Sequence, residues 1–132
     1  MNRIQKTFAR CKAEGKAAYV AYLTMGAPTL EKSFAAAETL LGEGVDILEL
    51  GVPFSDPVAD GAVIRAAANR ALANGVTLAD VLAGVSGLRA RHPDTPVVIF
   101  TYYNILYSYG LKRFADEAAQ RGVDAVLVVD LP

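Results

Sequence analysis

One glutamate and three loop residues hold most of the chemistry that this sequence can offer. The apolar run Ile47-Leu48-Glu49-Leu50 is interrupted by a carboxylate. The run breaks at Gly51 and Pro53 into a polar turn with Ser55, Asp56 and Asp60, and Gly61 closes it. A strand with a carboxylate near its end, followed by a second on the adjoining loop, is how a parallel α/β protein presents an acid/base pair. Taken singly, the residues are ordinary. A strand glutamate often lies exposed at a sheet edge or beside a lysine. Asp before Pro, as at Asp56, and Asp before Gly, as at Asp60, are frequent turn formers. Alternation places Leu48 and Leu50 on one side of the strand and Ile47 and Glu49 on the other. In a closed sheet that sends Glu49 either inward or outward, and its place at the C-terminal end favours the reactive face.

Other chemistries fit less well. Ser55 has no histidine near it, and the only histidine, His92, precedes Pro93 at a helix end, where it suits a solvated C-terminal cation. That argues against a Ser/His triad and a His-rich metal site. Asp56 and Asp60 with Glu49 form no evident octahedral scaffold for Mg²⁺, so no metal is expected. There is no Walker-type or GxGxxG loop, and no lysine at a strand end to form a Schiff base. Net charge is −1 with acids and bases interspersed, which gives no case for nucleic acid or an anionic membrane as partner. No apolar run approaches the roughly 20 residues of a membrane span. The polar start Met1–Lys6 lacks the apolar core of a signal peptide, and a single cysteine, Cys11, fits a reducing compartment. A cytoplasmic location is the expectation.

The elements that must position these residues alternate. Residues 3–14 read as an amphipathic helix with Ile4, Phe8 and Cys11 inward and Gly15 as its stop. A strand over 17–23 follows, then a turn over 24–28. Thr29 caps a helix over 30–41 whose stripe is Leu30, Phe34, Ala37, Leu40 and Leu41, ended by Gly42 and Gly44. The second strand is 46–50. An Ala-rich helix over 62–73 ends at Gly75, and Thr77 caps another over 78–91. The third strand is 96–102, apolar on both faces. A loop over 103–108, with Asn104 suited to a turn, leads to a helix over 110–120 with Leu111, Phe114, Ala115 and Ala118 inward. The fourth strand is 125–129. Strands alternating with helices imply parallel βαβ units, and residues 1–132 read as one domain. Gly44-Val45-Asp46-Ile47-Leu48 has an echo in Gly122-Val123-Asp124-Ala125-Val126.

The stretch Leu48–Gly61 (LELGVPFSDPVADG) resembles the signature of the tryptophan synthase α chain family. The resemblance continues through Tyr22–Pro28, Tyr102-Tyr103-Asn104, Tyr109-Gly110 and Asp130-Leu131-Pro132, so it covers essentially the whole chain. It implies the (β/α)8 TIM-barrel fold. Such a barrel takes about 250 residues, and the four strands here make about half of one. In the family, the later half carries the lid loop and the glycine-rich phosphate site. A half barrel leaves two strand edges and an apolar inner face open, so self-association or instability of the isolated polypeptide is expected.

The reaction that the resemblance implies is retro-aldol cleavage of indole-3-glycerol phosphate to indole and glyceraldehyde 3-phosphate. Indole leaves as carbon only after C3 is protonated. Positive charge then develops on the ring N–H, and a proton leaves the adjacent hydroxyl. By resemblance Glu49 is the acid/base and Asp60 the carboxylate beside the indole nitrogen. Such a shuttle is helped by an apolar pocket that raises a carboxyl's pKa. Tyr22, Phe100, Tyr102, Leu127 and Val129 wall the indole site by the same resemblance, although Phe100 and Leu127 read equally as barrel core. A buried phenol such as Tyr102 wants a hydrogen-bond partner. Ala62 and Ile105 stand where prolines are usual in the family, and Val129 where proline or alanine is. These departures leave the loops less rigid. The resemblance implies no cofactor in this chain. It also implies a pyridoxal-phosphate β chain as partner in an α2β2 tetramer, contacted by the loops after strands two and three. The non-catalytic alternative is a half-barrel fragment that self-associates or awaits a complementing half.

Overall fold

The computed structural model describes residues 1–132 and contains four strands and six helices. Helix α1 (Arg3–Ala13) precedes β1 (Val20–Thr24), α2 (Leu30–Gly42) and β2 (Ile47–Gly51). Then come α3 (Ala62–Ala73), α4 (Leu78–Arg91), β3 (Val97–Tyr102), α5 (Tyr103–Tyr109), α6 (Leu111–Arg121) and β4 (Ala125–Val129). The strands pair in sequence order, all parallel. This is the half-barrel arrangement of the alternating pattern, with β1 and β4 as open edges.

Short local signals set the helix ends. Asn2 and Gln5 form a capping box on α1, and Thr77 with Asp80 forms another on α4. Thr29 caps α2 through the Lys32 N–H. One face of the sheet packs under the helices. Leu48, Leu50, Val97 and Ile99 are buried there against Ala37, Leu41, Val81, Leu82, Val85 and Leu88. These apolar side chains leave water together, at roughly 1.5–3 kcal/mol each for the larger ones. Gly84 lets α4 approach α2, because a Cβ there would lie 1.9 Å from the Phe34 ring.

Several expectations need correction. The 103–108 segment is helix α5, not a loop, although its aromatic and β-branched residues are weak helix formers. Burial of Leu106, with Ile105 and Tyr109 packed on the core, overrides propensity. Ile105 therefore sits inside a helix, and Ala62 is the first residue of one, so neither loosens a loop. The inward face of α1 runs through Thr7 and Cys11, and Phe8 is exposed. In α6 only Phe114 and Ala118 are buried; Leu111 and Ala115 face solvent, because a neighbour covers one narrow side of that helix. The first strand begins three residues later than expected. No single helix is long and apolar enough to cross a membrane.

Candidate active site

Register decides which side chains share a face. Tyr22 pairs with Glu49, Gly51 with Phe100, Phe100 with Leu127, and Tyr102 with Val129. Paired residues and residues two apart project to the same side. Tyr22, Glu49, Phe100, Tyr102, Leu127 and Val129 therefore occupy one face, opposite the helix-packed one. Glu49 points away from the helices. Tyr22 and Phe100 meet edge to face at 5.4 Å between ring centres, a favourable aromatic geometry. Leu127 is 41% exposed on β4, so the far side of this face lies open.

Asp60 arrives on the loop between β2 and α3. Two tight turns shape that loop, with Val58 N–H donating to Asp56 O at 2.8 Å and Asp60 N–H to Pro57 O at 3.0 Å. Tyr102 braces it at both ends. Its ring lies 4.8 Å from that of Phe54, and its hydroxyl accepts the Ala59 N–H at 3.1 Å. Tyr102 is only 3% exposed and is the underside of the loop more than an open wall. Its phenol found its partner in the backbone beside Asp60. Burial raises the pKa of Tyr102, and the Asp60 carboxylate pushes the same way. Burial likewise raises Tyr22, with smaller contributions in that direction from Asp60, Tyr102 and Glu49. The two acids and the two phenols thus form one electrostatic group.

Glu49 and Asp60 are both half-buried and neither takes part in an ion pair; Glu49 has no hydrogen bond within the chain, and the one group that leans on the Asp60 carboxylate is the Tyr102 hydroxyl. The carboxylates at the other end of the sheet differ. Asp46 accepts from Tyr19 N–H at 2.9 Å and from Arg10 at 2.5 Å. Asp124 accepts from Val97 N–H at 2.9 Å, from Arg89 at 2.6 Å and from Arg3 at 3.0 Å. The Gly-Val-Asp echo is therefore a repeated clamp. Each Asp precedes its own strand, ties the start of the preceding one and recruits an arginine of α1. A cavity of about 620 Å³ opens at this end, lined by Arg3, Lys6, Arg10, Asp94 and Asp124, whose polar groups are largely engaged in those pairs.

The remaining candidates stay apart. Asp56 is exposed and accepts the Ser55 hydroxyl at 2.7 Å. No three His, Cys, Asp or Glu side chains converge as metal donors would. His92 is not simply solvated: its Nε2 lies 2.8 Å from Glu38 on α2, beside Arg91. Sequence reasoning missed Phe54, Thr24 and Gly51. The Thr24 hydroxyl donates to the Tyr22 phenol oxygen over a long 3.3 Å. The signal was present, since Thr24 lies two residues beyond Tyr22 and shares its face.

Parallel strands alternating with helices, with a carboxylate on the open face of β2 and a second on the loop beyond it, define half of a β/α barrel. The family model for the tryptophan synthase alpha chain matches residues 8–132, and the chain belongs to that family. The alpha chain of Alkalilimnicola ehrlichii is 49% identical over all 132 residues, and that of Neisseria meningitidis serogroup B is also 49% identical. The chain covers 48% and 50% of these relatives. Tryptophan synthase subunit alpha from Legionella pneumophila superposes with a TM-score of 0.96 at 42% identity, matching all of this chain and 50% of that one. A chain of tryptophan synthase from M. tuberculosis, solved in an aminoacrylate-bound form, gives 0.94 at 37% identity, with 99% and 53% covered. The chain thus spans about half the length of the relatives it matches.

Proposed function

We propose that this chain supplies the acid/base half of a lyase site that cleaves indole-3-glycerol phosphate to indole and glyceraldehyde 3-phosphate, late in L-tryptophan biosynthesis. The observation that carries this reading is the pair of half-buried carboxylates without ion-pair partners, Glu49 and Asp60, on one open face of the sheet and the loop beyond it. Glu49 in its acid form protonates C3 of the indole ring. As carboxylate it then takes the proton of the side-arm hydroxyl. The carbon–carbon bond breaks, its electrons return to the ring, and the hydroxyl carbon becomes the aldehyde, so Glu49 ends as it began. Asp60 opposes the positive charge on the ring N–H. Tyr22, Phe100, Leu127 and Val129 form an apolar wall suited to a flat bicyclic ring, and Tyr102 sets the loop of Asp60.

The ligand's phosphate calls for donors beyond these 132 residues, in the family's later half. The chain folds as one domain in this reading. It works in the cytoplasm without a cofactor of its own, and passes indole to a β chain that holds pyridoxal phosphate in an α2β2 assembly. A second reading rests on a separate observation: Val20, Val126 and Leu127 on the two edge strands are each about 40% exposed. As an isolated polypeptide, the half barrel then self-associates or takes up a complementing half through these edges. Sedimentation tests it, and a stable monomer overturns it.

Indole release from indole-3-glycerol phosphate, measured beside Glu49→Gln, tests the catalytic reading. Release that the substitution abolishes is expected. No release from the folded protein assembled with its complementing half and β chain rejects it.

A further inference from the structure

We infer that Thr24 and Gly51 are positioning residues for the Tyr22 hydroxyl, which they hold near Glu49 and Asp60 as a hydrogen-bond donor to a side-arm oxygen of the bound ligand. The inference rests on the catalytic reading above and adds a third polar group to it. Tyr22 and Thr24 share the inner face of β1, and their in-register partners on β2 are Glu49 and Gly51. The phenol ring is held edge-on to Phe100, and its hydroxyl reaches over Gly51. A Cβ at Gly51 would lie 2.1 Å from that oxygen and 2.5 Å from the ring carbon bearing it. Gly51 does not have a positive φ, so glycine is needed there for space and not for backbone freedom.

The hydroxyl therefore stands one inward position beyond Glu49, on the side from which the Asp60 loop departs. The Thr24 hydroxyl fills one lone pair of the phenol oxygen. Tyr22's own proton finds no acceptor in the chain. A free donor among acids complements a ligand acceptor. The indole N–H is itself a donor and suits a carboxylate, so the matching atom is a hydroxyl oxygen on the side arm, next to the carbon where Glu49 works. The raised ionisation of Tyr22, to which Glu49 and Asp60 contribute, agrees with that placement.

The first test uses the complete enzyme in a Glu49→Gln background, where substrate is bound but not consumed. Calorimetry compares indole-3-glycerol phosphate with an analogue whose two side-arm hydroxyls are replaced by hydrogen. Tyr22→Phe weakens the hydroxylated ligand about tenfold and leaves the analogue within about twofold, as expected for one lost hydrogen bond. Gly51→Ala, which displaces ring and hydroxyl together, weakens both ligands but the hydroxylated one more. Equal losses for both ligands, or none, overturn the inference. An active Glu49→Gln enzyme instead rejects the catalytic reading. A second test needs no ligand: absorbance titration of the complete enzyme, with Tyr22 isolated as the difference from Tyr22→Phe. Thr24→Val is expected to shift that phenol to still higher pH, and Gly51→Ala to return it toward the ordinary tyrosine range. A Tyr22 that titrates identically in all three proteins refutes the positioning roles, whatever the enzyme does.

Discussion

At the N-terminal ends of the strands, Asp46 and Asp124 are held by arginines and by the backbone of the neighbouring strand. Three residues beyond Asp46, in the middle of β2, Glu49 has no partner in the chain. Both ends place acids at half-buried or buried positions, but only one end neutralises them. Burying a carboxylate without a partner is costly, and in the proposed function the unpaired Glu49 is left for a group outside the chain. The difference is the division of labour expected of a parallel barrel, with stability at the bottom and chemistry at the top. It also shows why residue type alone is a poor guide. Asp46 and Glu49 are nearly the same group in one short segment, and the partners supplied by α1 separate their roles.

Neutralising one acid of each kind and measuring both activity and stability separates the two ends of the sheet. Glu49→Gln or Asp60→Asn is expected to lower indole release by roughly 10²–10⁴-fold, with the thermal midpoint unchanged or slightly raised. Asp124→Ala is expected to do the reverse. It leaves Arg89, which is 14% exposed, without its carboxylate, and frees the Val97 N–H at the start of β3. Removing one partner of such a pair costs about 3 kcal/mol, which denaturant unfolding reads directly. A loss of stability in Glu49→Gln as large as that in Asp124→Ala would show the two ends to be equivalent.

How far the sequence announces this division varies by element. Period-two alternation around Leu48 and Leu50 put Glu49 on the face opposite the core, and the Thr77 cap with Gly75 placed α3 and α4 within a residue of their ends. Those signals are local. The function of the Gly-Val-Asp echo was not legible, because its arginines lie 36, 35 and 121 positions away. Helix α5 was hidden for a related reason: burial of Leu106 from the far side, not its own propensity, makes it helical. Tyr102 was expected, by resemblance, to wall the site. Its contact with Ala59, 43 positions distant, makes it a brace for the Asp60 loop and not chiefly a wall.

That brace gives a graded form of the comparison. Tyr102→Phe keeps the ring against Phe54 but removes the acceptor of the Ala59 N–H. The loop bearing Asp60 then loses its upper tie. A lost neutral hydrogen bond is worth about 1 kcal/mol, so kcat/KM is expected to fall roughly fivefold, with a loss of unfolding free energy no larger than about 1 kcal/mol. A Tyr102→Phe enzyme with unchanged kcat/KM would leave Asp60 positioned by its own turns alone.

The smallest effect tests the bottom of the sheet through pH. The Tyr19 N–H, then Arg10, holds the Asp46 carboxyl at about 2, below its ordinary value of 3.8. A depressed folded-state value means that the charged form is favoured by folding. Its contribution is whole above about pH 4, declines as pH falls and is gone below about pH 2. Asp46→Asn keeps an oxygen for the Tyr19 N–H but gives up the charge. The stability difference between the parent and this variant is expected to be on the order of 1 kcal/mol at neutral pH. It should shrink through the window from pH 4 to 2. Urea unfolding of both proteins at pH 7, 5, 3 and 2 measures it. A difference that stays constant to pH 2 would mean that Arg10 contributes packing alone, and that the clamp at β2 does not depend on its charge.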